Sequence, residues 1–312
     1  MNNIVKKQNS ETSIKRLAAQ SALYSSAKNF LAAQFVFSVP VAVLIAFVAL
    51  TLDKELFGLP KTDIAWFVGL SSGMSFLLIE LYLNPVMNYK KETAAKIQQY
   101  FDSDVLGIPM CNITYGKPLD QEIVEVWAEE SFTSGTPKEE FTNWYRVEVD
   151  ALPMEVARII CQRANCWWDE DLRRRYNKMI RVVGIALFVV ILIIVLALDC
   201  TITIILGLIV PLILPFVSVA SKVIQENLEA ITRLASMREA INDVWQRILT
   251  NVATNEELIG FANTIQAGIY NNRRNNPLVF DWIHRRSKRK HEDTTSATTA
   301  SYVAEYRRSR AS

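Results

Sequence analysis

Residues 161–176, "CQRANCWWDEDLRRRY", crowd two thiols, two amides, paired tryptophans, three acids and four arginines into about four helical turns. Nucleophilic catalysis would need a thiol or hydroxyl beside an activating base. The two histidines, His284 and His291, lie more than a hundred residues further on, and no nucleophile–base spacing is visible. The four cysteines, Cys111, Cys161, Cys166 and Cys200, form no CxxC pair, so neither a zinc site nor any other metal or cofactor is expected. They read as reduced thiols of a cytosol-facing protein. No enzymatic activity is expected.

Two chemistries remain for this stretch. On a helix, Asp169, Glu170 and Asp171 precede Arg173, Arg174 and Arg175 by four positions, the favourable order, worth about 0.2–0.5 kcal/mol per pair. Ile160, Ala164, Trp168, Leu172, Tyr176 and Ile180 form one apolar row beside them. That describes the charged collar of a membrane helix. Gln162, Arg163 and Asn165 have no obvious local partner, however, and they sit beside two tryptophans. Rings stack on bases and guanidinium groups fork onto phosphates. The candidate ligand or gating set is therefore Gln162, Arg163, Asn165, Trp168, Asp169 and Arg173.

The elements that must position these residues follow from the apolar pattern. Half of the 312 residues are hydrophobic and the formal net charge is only +2, so no direct nucleic-acid binding is expected. The charges are sparse in long apolar blocks and dense between them. Residues 30–52 and 64–83 are each long enough to cross a hydrocarbon core of about 30 Å. A single helix over 182–219 would be about 57 Å long, so it must turn at "LDCT", giving spans 182–198 and 201–219. Lysines and arginines flank the outer ends of both hairpins, which places both termini and the central segment in the cytoplasm.

The expected architecture is a mainly α, polytopic membrane protein. A cytosolic segment (1–29) leads into transmembrane hairpin 1 (30–83), a cytosolic helical segment (84–181) and transmembrane hairpin 2 (182–219). A cytosolic helical region (220–291) and a Ser/Thr-rich tail, expected to be disordered (292–312), complete the chain. Residues 223–249 repeat apolar side chains at Leu228, Ile231, Leu234, Ile241, Val244 and Ile248, an amphipathic helix. Candidate pore or helix-packing positions are Gly69, Gly73, Ser75, Glu80, Pro211 and Pro215. The glycines and serine make a small-residue face, Glu80 is ionisable within an apolar run, and the prolines favour a bend. Arg285, Arg286, Lys288, Arg289 and Lys290 form a basic run suited to anionic lipid.

The opening stretch also resembles the Cys-Gln-Arg-x-Asn-x-x-Trp-Asp-x-x-Leu-Arg-Arg-x-Tyr pattern of the SMODS-associating four-transmembrane effector family. Gln98, Phe101 and Asp102 of "IQQYFDSDVLGIP", Trp144 and Tyr145 of "NWY", and Asn276, Pro277, Asp281 and Trp282 of "NPLVFDW" fit the same resemblance. Phe280 stands where the last motif often carries a proline. The resemblance implies a bacterial antiphage role at the inner membrane. A neighbouring nucleotidyltransferase would make a cyclic oligonucleotide, and this chain, as a homo-oligomer in the lipid bilayer, would form a pore in response. The alternative from another class is a non-conducting membrane scaffold or receptor that recruits a cytosolic partner.

Overall fold

The computed structural model describes residues 2–38, 48, 65–197 and 201–311, and every regular element among them is helical. In chain order these are α1 (Ile4–Gln8), α2 (Glu11–Ser38), α3 (Ala65–Leu78), α4 (Asn84–Leu106), α5 (Asn112–Tyr115), α6 (Gln121–Thr133), α7 (Met154–Ala197), α8 (Ile202–Ile204), α9 (Val210–Leu249), α10 (Asn255–Asn275) and α11 (Asp281–Ala311). Two short 3-10 turns, Lys138–Phe141 and Val147–Ala151, bridge α6 and α7.

Local chemistry fixes most of the boundaries. The carbonyl of Pro153 accepts from the amides of Val156 and Ala157, so proline stands at the start of α7, where its missing donor costs nothing. The next 30 residues contain neither glycine nor proline, and α7 runs unbroken for 44 residues. Helix α4 ends at Gly107, whose φ of 63° lets the amide of Ile108 reach back to the carbonyl of Ser103. Asn251, at φ 58°, closes α9 in the same way, with the amide of Val252 on the carbonyl of Arg247. Thr254 and Glu257 form a reciprocal capping box that opens α10.

Two π-turns, Ile79–Leu83 and Ile205–Ile209, share a cause. A proline in a helix clashes with the carbonyl four residues earlier. For Pro85 that residue is Leu81, and for Pro211 it is Gly207; each lies inside a π-turn. The wider turn relieves the clash, and the backbone of α9 continues helically through both Pro211 and Pro215.

The chain divides into two compact units. The first comprises Met1–Ser26, Lys90–Arg174 and Leu228–Ser312. One core unites Leu17 and Leu23 of α2, Ile97 and Phe101 of α4, Ile159 and Ile160 of α7, Leu234 and Ile241 of α9, and Ile265 of α10. Phe101 stacks on Tyr145 with ring centroids 6.0 Å apart. The N-terminus is stitched in by side-chain amides: Asn2 donates to the carbonyls of Val149 and Leu152, and Gln8 exchanges two hydrogen bonds with the backbone of Tyr145.

The tail expectation is overturned here. Residues 292–311 are the last five turns of α11 and pack on the first unit's core. His291, Thr295, Thr299 and Val303 form a buried row at four-residue spacing. The Trp245 indole donates to Glu305 at 3.0 Å, and Arg310 donates to Asn251 and the carbonyl of Ile248. Small polar residues here make a packing face. The amphipathic row of α9 is also corrected: Leu228 is 44% exposed, and the buried Asn227 takes its place beside Ile231 and Leu234.

The second unit, Ala27–Tyr89 and Arg175–Asn227, has the reverse distribution of polarity. Gln34 is buried and donates to Asn84 at 2.6 Å, and Asn177 donates to the carbonyl of Ile224. Large apolar side chains face outward instead, among them Leu70, Phe76, Leu81, Ile185, Phe188 and Leu196. An exterior of this kind suits hydrocarbon rather than water. Among the described residues one helix, α7, is long and apolar enough to cross a membrane, with a mean hydropathy of 3.1 over its most apolar window. Residues 39–47, 49–64 and 198–200, which hold much of the first apolar block and the expected turn of the second hairpin, lie outside the described residues.

Candidate ligand and gating site

Helix α7 brings the opening stretch into the centre of the first unit, where it meets partners from distant parts of the chain. Asp102 on α4 is fully buried, and its two oxygens organise a polar network. One accepts the Tyr145 hydroxyl at 2.6 Å; the other accepts Gln266 at 2.9 Å and Arg273 at 2.5 Å, both from α10. Gln266 also donates to Gln99 at 2.9 Å and accepts from Gln162 at 3.0 Å. Gln162 donates further to the carbonyl of Ala262, and Asn165 donates to the Tyr145 hydroxyl at 3.1 Å.

The electrostatics explain why these groups stay in place. Burial works against the charge of Arg273, but the adjacent Asp102 carboxylate outweighs it and holds the guanidinium above its ordinary range. Burial, then the Asp102 charge, pushes the Tyr145 hydroxyl well up, so it remains a donor. Burial pushes the Cys161 thiol up and takes Cys166 to about 12, so neither is a thiolate at neutral pH. The arrangement binds and locks; it offers no activated nucleophile from these thiols.

The sequence-selected residues separate into distinct environments. Gln162 and Asn165 belong to the buried network. Trp168 packs against His291 at 4.8 Å and His284 at 5.8 Å, and Asp169 pairs with Arg173 at 3.0 Å. Arg173 donates to the carbonyl of Pro277, drawing the "NPLVFDW" segment onto α7. Asp171 lies 2.6 Å from His291. Glu170 accepts from Arg174 and forms an ion pair with Arg238 at 3.2 Å. Arg163 alone of the set faces an open cleft: its Nε donates to Asn242 at 3.0 Å and its guanidinium lies 4.9 Å over the Tyr302 ring.

The remaining candidates have other surroundings. Gly73 has open space where a Cβ would stand, so no described atom packs against that position. Ser75 is half-buried and Glu80 exposed; Gly69, Pro211 and Pro215 are placed by backbone alone. Arg285 and Arg286 are exposed on α11, and Lys288 pairs with Glu140 at 3.1 Å. Arg289 and Lys290 lie on the same helix, with side chains outside the described ones. Sequence reasoning missed Gln99, Gln266 and Arg273. Their helical spacing, Gln99 three before Asp102 and Gln266 seven before Arg273, puts each pair on one face and was the available signal.

No solved structure matches the chain. A probable CBASS effector molecule of Bacillus cereus (strain VD146) is 27% identical over 182 residues, covering 58% of this chain and 59% of that protein's length. The alignment thus spans less than two thirds of the curated relative. A family model described as the SMODS-associating 4TM effector domain matches residues 2–302. The match runs through α7, the buried network and the apolar helices alike, and the chain belongs to the SMODS-associating four-transmembrane effector family.

Proposed function

We propose that the chain is the membrane effector of a bacterial antiphage system. It sits in the inner membrane with four spans, 30–52, 64–83, 182–198 and 201–219, and with both termini and residues 84–181 in the cytoplasm. A cyclic oligonucleotide made by a neighbouring nucleotidyltransferase triggers it, and homo-oligomers then permeabilise the bilayer. The chain acts without catalysis. The candidate ligand and gating residues, Gln162, Arg163, Asn165, Trp168, Asp169 and Arg173, would transmit the trigger, and the basic run at 285–290 would lie near anionic lipid.

The observation that carries this reading is α7. Its N-terminal half holds the network and cleft residues, and its C-terminal half exposes Val182, Ile185, Phe188, Ile193 and Leu196 on the same unbroken helix. A change of contacts at the first part can bias the second only if the two states differ in those contacts. A single copy is too apolar to surround a wide aqueous path, so assembly is required. The family membership and the similarity to a probable CBASS effector support the antiphage setting.

Purified full-length chain in liposomes loaded with a self-quenched dye tests the reading. Leakage on adding a cyclic oligonucleotide, absent from protein-free liposomes, is the expected result. Intact liposomes carrying inserted protein, with every cyclic di- and trinucleotide tried, would favour a non-conducting scaffold instead.

A further inference from the structure

Helices α7, α9 and α11 enclose an open cleft of about 440 Å³ in the first unit, within the range of small-molecule sites. Arg163 enters it from α7, Asn242, Trp245 and Gln246 from α9, and Tyr302 and Glu305 from α11. The spacing does this: positions 242, 245 and 246 share one face of α9, and 302 and 305 share one face of α11. Thr298 and Ser301 add hydroxyls one turn earlier on α11. The Trp245 and Tyr302 rings meet edge-on at 4.8 Å. Four residues before Asn242, Arg238 supplies a second guanidinium, engaged with Glu170.

We infer that this cleft is the seat of one nucleotide unit of the cyclic oligonucleotide, with Arg163 on the phosphodiester, a base against the Tyr302 and Trp245 rings, and Glu305 reading the base edge. The inference rests on the cyclic-oligonucleotide trigger proposed above. Each assignment follows from the chemistry of the cleft lining. A half-buried guanidinium forks onto phosphate more strongly than an exposed one. Aromatic faces accept any base, and side-chain amides such as those of Asn242 and Gln246 pair with base edges. Glu305 is the discriminating group. Its carboxylate repels a bare phosphate or sulfate but accepts from a ring N–H or exocyclic amine. The polar lining equally disfavours a lipid tail.

The cleft's contacts also say how occupancy would be felt. Tyr302 now lies under the Arg163 guanidinium, and Glu305 holds the Trp245 indole. An entering base and phosphate compete for both contacts, so binding loosens α11 from α7 and α9. Those two helices continue into the residues of the second unit.

The test uses full-length chain in lipid nanodiscs, titrated calorimetrically with 3′,3′-cyclic di-AMP, 3′,3′-cyclic GMP–AMP and cyclic tri-AMP, alongside dye leakage from liposomes. At least one of the three should bind the unaltered chain. Arg163→Gln and Tyr302→Leu should each weaken it about 10-fold or more, the scale of a charge-assisted hydrogen bond or a lost stack. Glu305→Gln should change the preference among the three, and Lys15→Gln, in a separate cleft, should change nothing. Photolabelling of the unaltered chain with an azido-adenine analogue guards against misfolded variants, and the label should fall on peptides holding Trp245 or Tyr302. A nucleotide that opens liposomes yet binds the cleft variants normally, or labels other peptides, overturns this site and leaves the proposed function standing. If none of the three binds or opens liposomes, this inference and its proposed trigger fall together.

Discussion

The Asp102–Arg273 pair is where single side chains matter most. Asp102 is fully buried and Arg273 largely so, and the carboxylate carries three hydrogen bonds, one from Tyr145 and two from α10. A buried charge stripped of its partner costs about 3–5 kcal/mol, whereas a missing neutral bond to a buried group costs about 1–3 kcal/mol. Arg273→Met should therefore lower the melting temperature of the detergent-solubilised chain much more than Tyr145→Phe. Equal losses would mean that the Arg273 contact contributes no more than the single Tyr145 hydrogen bond. Arg174 contrasts with both: it is 58% exposed, and its partner Glu170 keeps Arg238, so Arg174→Ala should cost no more than about 1 kcal/mol. Arg163→Ala should impair induced leakage far more than Arg174→Ala at equal abundance in the membrane. The acid-first pairs at 169–174 were legible in the sequence because their partners are four residues apart. The network was not, because Gln162 and Gln266 are 104 residues apart and Asp102 and Arg273 are 171 apart. No periodicity encodes such distances.

Helix ends and helix docking carry the element-scale consequences. The Thr254 capping box satisfies two donors at the start of α10, so Thr254→Ala should cost about 1 kcal/mol. The backbone N–H of Thr254, followed by Arg247, holds the Glu257 carboxyl below its ordinary value. A carboxyl lowered on folding contributes stability that is present above its unfolded pKa and lost as pH falls through its folded one. Protection of the first α10 amides from hydrogen exchange should thus fall on acidification below the usual carboxylate range. Glu257→Gln should remove most of that dependence. Unchanged acid sensitivity in Glu257→Gln would exclude the cap as its source. Helix α11 was illegible for a compositional reason: a run of Asp, Ser, Thr and Ala reads as too polar to bury. Thr and Ala are also small, and a helix that presents Thr295, Thr299 and Val303 can approach closely. Truncation after Lys290 uncovers Trp245 and Ile248 and should leave a chain that aggregates on extraction. Retention of a monodisperse, cooperative melt would show that α11 is dispensable.

At the scale of the whole molecule, the helical class and the division into charged and apolar stretches followed from block lengths and hydropathy, which need no knowledge of long-range contacts. The orientation of those stretches rests on the placement of lysines and arginines alone, and the cysteines provide a direct test of it. Cys111 is exposed, and the backbone N–H and hydroxyl of Thr114, with the N–H of Ile113, lower its thiol pKa, so it reacts readily with any maleimide that reaches it. Cys161 and Cys166 are buried and held protonated, so they stay silent while the fold persists. Cys200 falls in the turn proposed between the last two spans, on the side opposite Cys111. A membrane-impermeant maleimide added to spheroplasts should therefore leave Cys111 untouched, and any label it places should vanish in Cys200→Ser. In inverted membrane vesicles the same reagent should label the chain strongly, and Cys111→Ser should abolish that signal. Labelling of Cys111 from the outside of intact spheroplasts would reverse the topology. The central segment, with its network and cleft, would then face away from any nucleotide made in the cytoplasm, and the proposed trigger could not reach it.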